Sequence, residues 1–184
     1  MIQHKPSKYL LMLCLAVFVS NAAAQTDTQR KLFRPLYSLA LQGHEQQVTN
    51  RRAPLDNYPV THYLDYALLR SQMAQLPIQQ INDFKAKHPD SPLNSRLRKQ
   101  LLDQLGLQQK WSQYLQYHTG FDTGKRQCWY LRASIETKQL QGLAPKIETM
   151  WMSGLSVSKA CDPVFNWWQQ QGHMTEDLIK RRFK

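Results

Sequence analysis

The chain is predicted to be all-α: an irregular α-solenoid, a superhelical stack of helix hairpins. Three observations lead there. Strand signals are nearly absent, because no run of alternating β-branched residues occurs and Val and Ile are thinly scattered. Apolar residues recur instead at helical spacing, in stretches of about 8–16 residues. Short breaks carrying Gly, Pro or Asn separate these stretches. No strict repeat of about 34 residues emerges, so the stack is irregular rather than a consensus array.

Each element follows from its own pattern. From Gln29 to Leu41, the residues Leu32, Phe33, Leu36, Tyr37, Ala40 and Leu41 form one apolar stripe, and Gly43 supplies a stop. His44 to Asn50 suits a short second helix, and Pro54 with Asp56-Asn57 marks a turn. Pro59 suits a first helical turn, with Tyr63, Leu64, Tyr66, Ala67 and Arg70 carrying the helix to about Met73. Pro77 opens the next helix, with Ile78, Ile81 and Phe84 on one face. His88 to Pro92 is a breaker, after which Ser91 is a plausible N-cap and Pro92 a first helical residue. Leu93, Leu97, Leu101 and Leu105 then recur at i+4, and Gly106 is expected to end that run.

Lys110 to His118 carries Trp111, Tyr114 and Leu115, and a loop runs through Thr119 to Gly124. Arg126 to Leu140 places Cys128, Leu131 and Ile135 on one face, and Gly142 separates it from a helix over 144–152 that closes at Ser153-Gly154. Cys161 to Gln171 and Thr175 to Arg182 complete the series, the last with apolar Leu178, Ile179 and Phe183 alongside. A solenoid end normally needs a polar cap, so this terminal helix is expected either to act as one or to be continued by a longer array.

The 184 residues allow one domain or one segment of a larger array, but not two large enzymatic lobes. With 7 Gly and 9 Pro, collagen-like and Pro/Gly-rich disordered classes are excluded. Five Trp and eight Tyr provide enough apolar surface for a packed core.

The first 24 residues read as a signal peptide. Lys5 and Lys8 make a positive start, Tyr9 to Val19 an apolar stretch, and Ala22 to Ala24 a small-residue cleavage site, which predicts a mature chain from Gln25 to Lys184. The apolar run of about 11 residues falls short of the roughly 20 needed to span a bilayer, so no membrane anchor is expected after cleavage. Cys14 is no lipidation site, since it lies deep in the apolar run behind Leu13. The expected location is outside the cytoplasm.

Cleavage lowers the formal charge from +11 to about +9. Such basicity raises nucleic acid as a partner, but the export signal argues against it. The cations are also dispersed, at Arg51-Arg52, Arg96 to Lys99, Lys125-Arg126 and Lys180 to Arg182, and each cluster is expected on a solvated face. Removal of Cys14 leaves Cys128 and Cys161. In an oxidising compartment this pair forms either a bridge, worth roughly 3.5 kcal/mol in the chain-entropy model, or two buried thiols. Zinc is disfavoured, because no C-x-x-C or paired His adjoins either Cys.

No catalytic constellation is found. Glu45, Glu136, Glu148 and Glu176 all fall on predicted polar helix faces. His44-Glu45 opens like a zincin motif, but Val48 stands where the second His is needed. His62, His88, His118 and His173 offer no metal-ligand spacing, and nucleophile-elbow, P-loop and dinucleotide patterns are absent. No cofactor, metal or catalytic residue is predicted. The aromatic residues Trp111, Tyr114, Tyr117, Trp129, Tyr130, Trp151, Trp167 and Trp168 are read mainly as inter-helix packing. Trp168 and Tyr117 are the candidates for glycan contact, with Trp168 expected outside because neighbouring helical residues diverge by about 100°.

The segments Asn57-Tyr58-Pro59 through Tyr63-Leu64-Asp65-Tyr66, Lys110-Trp111 with Leu115, Gln127 to Tyr130, and Ala160-Cys161-Asp162 with Phe165 then take on a joint meaning. In this order and spacing, after an export signal and a helix containing Gln29-Arg30, the mature chain to about Arg182 resembles the N-terminal superhelical region of bacterial soluble lytic murein transglycosylases. That resemblance implies a periplasmic, ring-forming helical domain, with a C-terminal lysozyme-like domain elsewhere in the family. The enzymes split the β-1,4 bond between N-acetylmuramic acid and N-acetylglucosamine without water, leaving a 1,6-anhydro product. The resemblance also implies a family disulfide at Cys128 and Cys161. The family's catalytic Glu-Ser, Gly-Leu-Met-Gln and Ala-Tyr-Asn-Ala-Gly segments are absent here, so no catalytic residue carries over. Two readings follow: a truncated, non-catalytic segment of such an enzyme, or a stand-alone periplasmic helical-repeat module that binds peptidoglycan or cell-wall proteins.

Overall fold

A computed structural model of the chain describes residues 26–120, 122–153 and 158–182. The predicted signal peptide with Cys14, and the residues Gly154 and Phe183, lie outside the described residues. Within them every regular element is helical and no strand occurs. The chain divides into two compact units, Met1–Pro89 and Asp90–Lys184. The division falls within the predicted breaker at His88 to Pro92.

The first unit contains α1 (residues 26–41), α2 (Glu45–Arg51), α3 (His62–Ser71) and α4 (Ile78–Lys87), with single 3₁₀ turns at Ala53–Leu55 and Met73–Gln75. Its core joins Leu36, Ala40, Val48, Leu55, Leu64 and Ala67, with Phe33, Tyr37 and Tyr58 packed against them. The α1 stripe is thus the packed face from Leu32 to Ala40, while Leu41 at its end is exposed. Gly43 stops α1 by adopting φ +80°, a left-handed conformation that lets the His44 N–H reach the Leu39 carbonyl. One boundary differs from expectation. Pro59 does not open α3: residues 58–61 form a turn in which the Thr61 N–H donates to the Tyr58 carbonyl, and the helix begins at His62.

The second unit contains α5 (Leu93–Leu107), α6 (Trp111–Tyr117), α7 (Lys125–Glu136), α8 (Leu143–Met152), a 3₁₀ turn at Lys159–Cys161, α9 (Asp162–Gln170) and α10 (Glu176–Arg182). One core cluster joins Leu131, Leu143, Ile147, Val164, Trp168 and Leu178 from four helices, and Leu97, Leu101, Leu105 and Tyr114 of α5 and α6 are fully buried as well. The Ser91 hydroxyl accepts the Leu93 N–H as a cap would, although α5 begins at Leu93, with Pro92 rather than Ser91 in the N-cap position. Helix α7 ends four residues before Leu140, because Lys138 turns left-handed at φ 61° and sends the Gln139 N–H back to the Ser134 carbonyl.

Gly106 does not terminate α5. It is a buried residue within the helix, and a Cβ there would sit 2.4 Å from the indole of Trp129. Its role is close approach, in which a missing side chain admits an aromatic ring from α7.

Candidate functional site

Cys128, in the first turn of α7, and Cys161, at the start of α9, are joined in a disulfide with their Cα atoms 4.8 Å apart. Both are buried, and the bond between them corresponds to the bridge rather than to two buried thiols. The bridge skips α8 and binds the helix before it to the helix after it. The thioether of Met150 on α8 lies 3.8 Å from the Cys128 Sγ and 4.0 Å from the Cys161 Sγ, so the intervening helix packs a soft, polarisable group against the bridge.

The two glycan-contact candidates part ways. Trp168 is only 1% exposed, within the second unit's core, with Trp151 and His173 as ring neighbours at 5.9 and 6.3 Å. Cys161, Val164 and Trp168, at i, i+3 and i+7, form the buried stripe of α9, which leaves the partly exposed Trp167 at its edge. The expected outward orientation of Trp168 is therefore reversed, and its indole offers no face to a sugar. Tyr117 ends α6 half-buried, and its carbonyl accepts a hydrogen bond from Arg98.

The solvated-face expectation for the basic clusters also needs correction at three positions. Arg52 forms a two-pronged pair with Asp65 at 2.5 and 3.1 Å, which holds the guanidinium pKa above its ordinary range through that hydrogen bond. Arg126 bonds Asp103 at 2.7 Å and the Lys99 carbonyl at 3.3 Å. Arg98 bonds Asp122 at 2.7 and 3.2 Å, and the Asp122 carboxylate is fully buried. These pairs are structural, and those of Arg52 and Arg98 are bidentate. Their partners lie 13, 23 and 24 residues away in sequence, too far for any local pattern to announce them.

The Arg98–Asp122 pair anchors a polar recess in the second unit. His118 follows α6, with its side chain 5% exposed and its Nε2 3.9 Å from the Asp122 carboxylate. The Gly120 N–H donates to its Nδ1 at 3.3 Å. Its ring stacks on Tyr130 of α7 with centroids 4.2 Å apart and planes 13° off parallel. The Lys146 Nζ of α8 lies 3.5 Å from the Tyr130 hydroxyl. Together with Leu115, Gly120, Gln127 and Gln139, these residues line about 450 Å³. Burial pushes the His118 pKa down, with the neighbouring Asp122 only partly opposing it, so the imidazole is held neutral near pH 7. Burial alone would raise the Asp122 carboxyl, but the Arg98 hydrogen bonds and charge outweigh it and hold the carboxyl below its ordinary value.

The first unit has a larger cleft of about 610 Å³ whose lining includes Glu45, Arg52, Asp56, Asp65, Asp83 and His88. Three of its four carboxylates already hold partners: Asp65 takes Arg52, Glu45 accepts from Gln72 at 2.9 Å, and Asp83 accepts from Gln79 at 2.8 Å. Glycoside cleavage asks for a carboxylic acid with a raised pKa, usually achieved by burial. Glu45, Glu136 and Glu176 are exposed and Glu148 is only half-buried, so none has that environment. Among the described residues, no group of three or more His, Cys, Asp or Glu is placed to hold a metal ion. No helix of the described residues is long and apolar enough to cross a membrane.

No family model matches the chain. It is 25% identical over 163 residues to the soluble lytic murein transglycosylase of Escherichia coli K12, and 24% identical over the same length to that of Salmonella typhimurium. Each alignment covers 87% of this chain and 25% of the relative, so the chain spans about a quarter of the length of these proteins. The crystal structure of the 70 kDa soluble lytic transglycosylase from E. coli matches with a TM-score of 0.72 at 22% identity, over 85% of this chain and 25% of that one. The lytic transglycosylase of Pseudomonas aeruginosa, an inactive mutant, matches with a TM-score of 0.71 at 24% identity, over 82% of this chain and 25% of that one. Across most of its own length, in sequence and in its all-helical fold, this chain resembles the soluble lytic murein transglycosylases.

Proposed function

We propose that this chain is a non-catalytic helical scaffold for murein processing in the periplasm, equivalent to part of the N-terminal superhelical domain of a soluble lytic murein transglycosylase. Residues 1–24 act as a cleaved signal peptide, and residues 25–184 form the helical-repeat portion. Its contribution is shape and contact with the wall polymer, while the cleavage of the sugar linkage belongs to a different domain. The observation that carries this reading is the alignment to murein transglycosylases over 87% of the chain, which engages only a quarter of those proteins. The surroundings of the four Glu residues support it, since none is desolvated enough to serve as a general acid. The charge of about +9 left after cleavage suits an anionic wall polymer, and three arginines being spent on internal pairs still leaves a basic surface.

Two linked measurements test the proposal. Expressed with its natural N-terminus, the protein is expected in the periplasmic fraction, beginning at Gln25 by N-terminal sequencing. In purified form it is expected to sediment with murein sacculi, more weakly as salt is raised. Recovery of uncleaved chain from the cytoplasm, or protein left wholly in the supernatant at low salt, would contradict it.

A further inference from the structure

The recess among α6, α7 and α8 carries hydrogen-bonding capacity that the protein does not use. Among the described residues that line it, Lys146 brings the one formal charge, since His118 is held neutral and none is Asp or Glu. Among the described residues, the Lys146 ammonium meets only Tyr130, at 3.5 Å from its hydroxyl and 5.6 Å from its ring centre, and no carboxylate pairs with it. The carboxamides of Gln127 and Gln139 line the same space and make no side-chain hydrogen bond to any described group, although their backbone N–H groups are satisfied.

The frame around these groups is firm. Tyr130 is braced by the stacked His118 ring, His118 by the Gly120 N–H, and Asp122 behind it by both prongs of Arg98. An uncompensated cation and two free amides therefore converge beside a fixed aromatic ring, in a space of about 450 Å³ that falls in the usual size range of small-ligand sites. The larger first-unit cleft is unlike it, because most of its charged groups are already paired.

We propose that this recess binds a ligand bearing one carboxylate and at least one amide. The carboxylate pairs with Lys146, the amide exchanges hydrogen bonds with Gln127 and Gln139, and the apolar part lies beside Tyr130 and Leu115. Given the murein reading, on which the choice of probes rests, two sources supply this chemistry: the N-acetylated sugar acid of the glycan strand and the acylated peptide stem.

The test is an NMR titration of the purified protein with N-acetylmuramic acid, with N-acetyl-D-alanyl-D-alanine, and with N-acetylglucosamine, which has the amide but no carboxylate. At least one carboxylate probe is expected to shift backbone amides between residues 115 and 146 and to bind about tenfold more tightly than N-acetylglucosamine, as befits a charge-assisted hydrogen bond. The preferred probe identifies the source. Lys146→Gln, an exposed substitution, is expected to keep the helical circular dichroism and abolish that preference. No shift with either carboxylate, equal binding of N-acetylglucosamine, or an unchanged preference in K146Q would overturn the proposal. Sacculus binding without any carboxylate shift would sink the recess and leave the murein reading standing. A carboxylate shift without sacculus binding would do the reverse.

Discussion

Gly106 sits where α5 and α7 come closest, with the Trp129 indole over the space a side chain would fill. Gly106→Ala should gain helix propensity of about 1 kcal/mol, but the added methyl must displace a buried, rigid ring. Overpacking is the larger effect, and we predict a net loss of about 1–3 kcal/mol in urea unfolding. A variant as stable as the parent would mean that the two helices are not in close contact. A second prediction at this scale concerns pH. His118 and the half-buried His88 are both held below the usual imidazole value, by burial first. Their unfolded forms take up protons first as pH drops below about 6.5, so stability is full above that pH and falls below it. Asp122, held low by Arg98, adds a second loss that begins near pH 4, where the unfolded carboxyl protonates, and continues toward its lower folded value. Urea midpoints measured from pH 8 to 3 should show both declines. His118→Gln should shrink the first, and Asp122→Asn the second. A flat profile between pH 8 and 5 would contradict the buried, neutral His118.

At the scale of elements, the Cys128–Cys161 bridge closes a loop with a sequence separation of 33. In the chain-entropy account this limits the unfolded state and is worth about 3.5 kcal/mol. Reduction, or the double change Cys128→Ser with Cys161→Ser, should lower the unfolding free energy by about that amount and increase hydrogen exchange in α7 and α9. Quantitative alkylation of both cysteines without reductant would refute the bridge itself. The helices were largely legible in the sequence because their signals are local: the Leu93 to Leu105 stripe, the Ser91 cap and the left-handed Gly43 each act within a few residues. What escaped was set by tertiary neighbours. Gly106 reads as a stop until Trp129 arrives from α7, and Lys138 ends its helix with no glycine to announce it. Trp167 and Trp168 are equal by composition, and only the register set by Cys161 and Val164 decides which of them is buried. The Arg98–Asp122–His118–Tyr130 cluster draws on three separate elements, so no spacing rule could gather it.

For the molecule as a whole, the described elements are all helical and the chain resembles one quarter of a much longer wall enzyme. On the scaffold reading proposed above, the consequence is a division of labour. Among the described residues the helices bury their apolar stripes, and all four glutamates stay exposed or half-buried, short of the desolvation that an acid catalyst requires. Incubating the purified mature protein with murein sacculi and analysing the soluble products by mass spectrometry tests this central claim most directly. We predict that no 1,6-anhydro-muropeptides are released above the no-protein control, and reproducible, protein-dependent release would contradict the scaffold account.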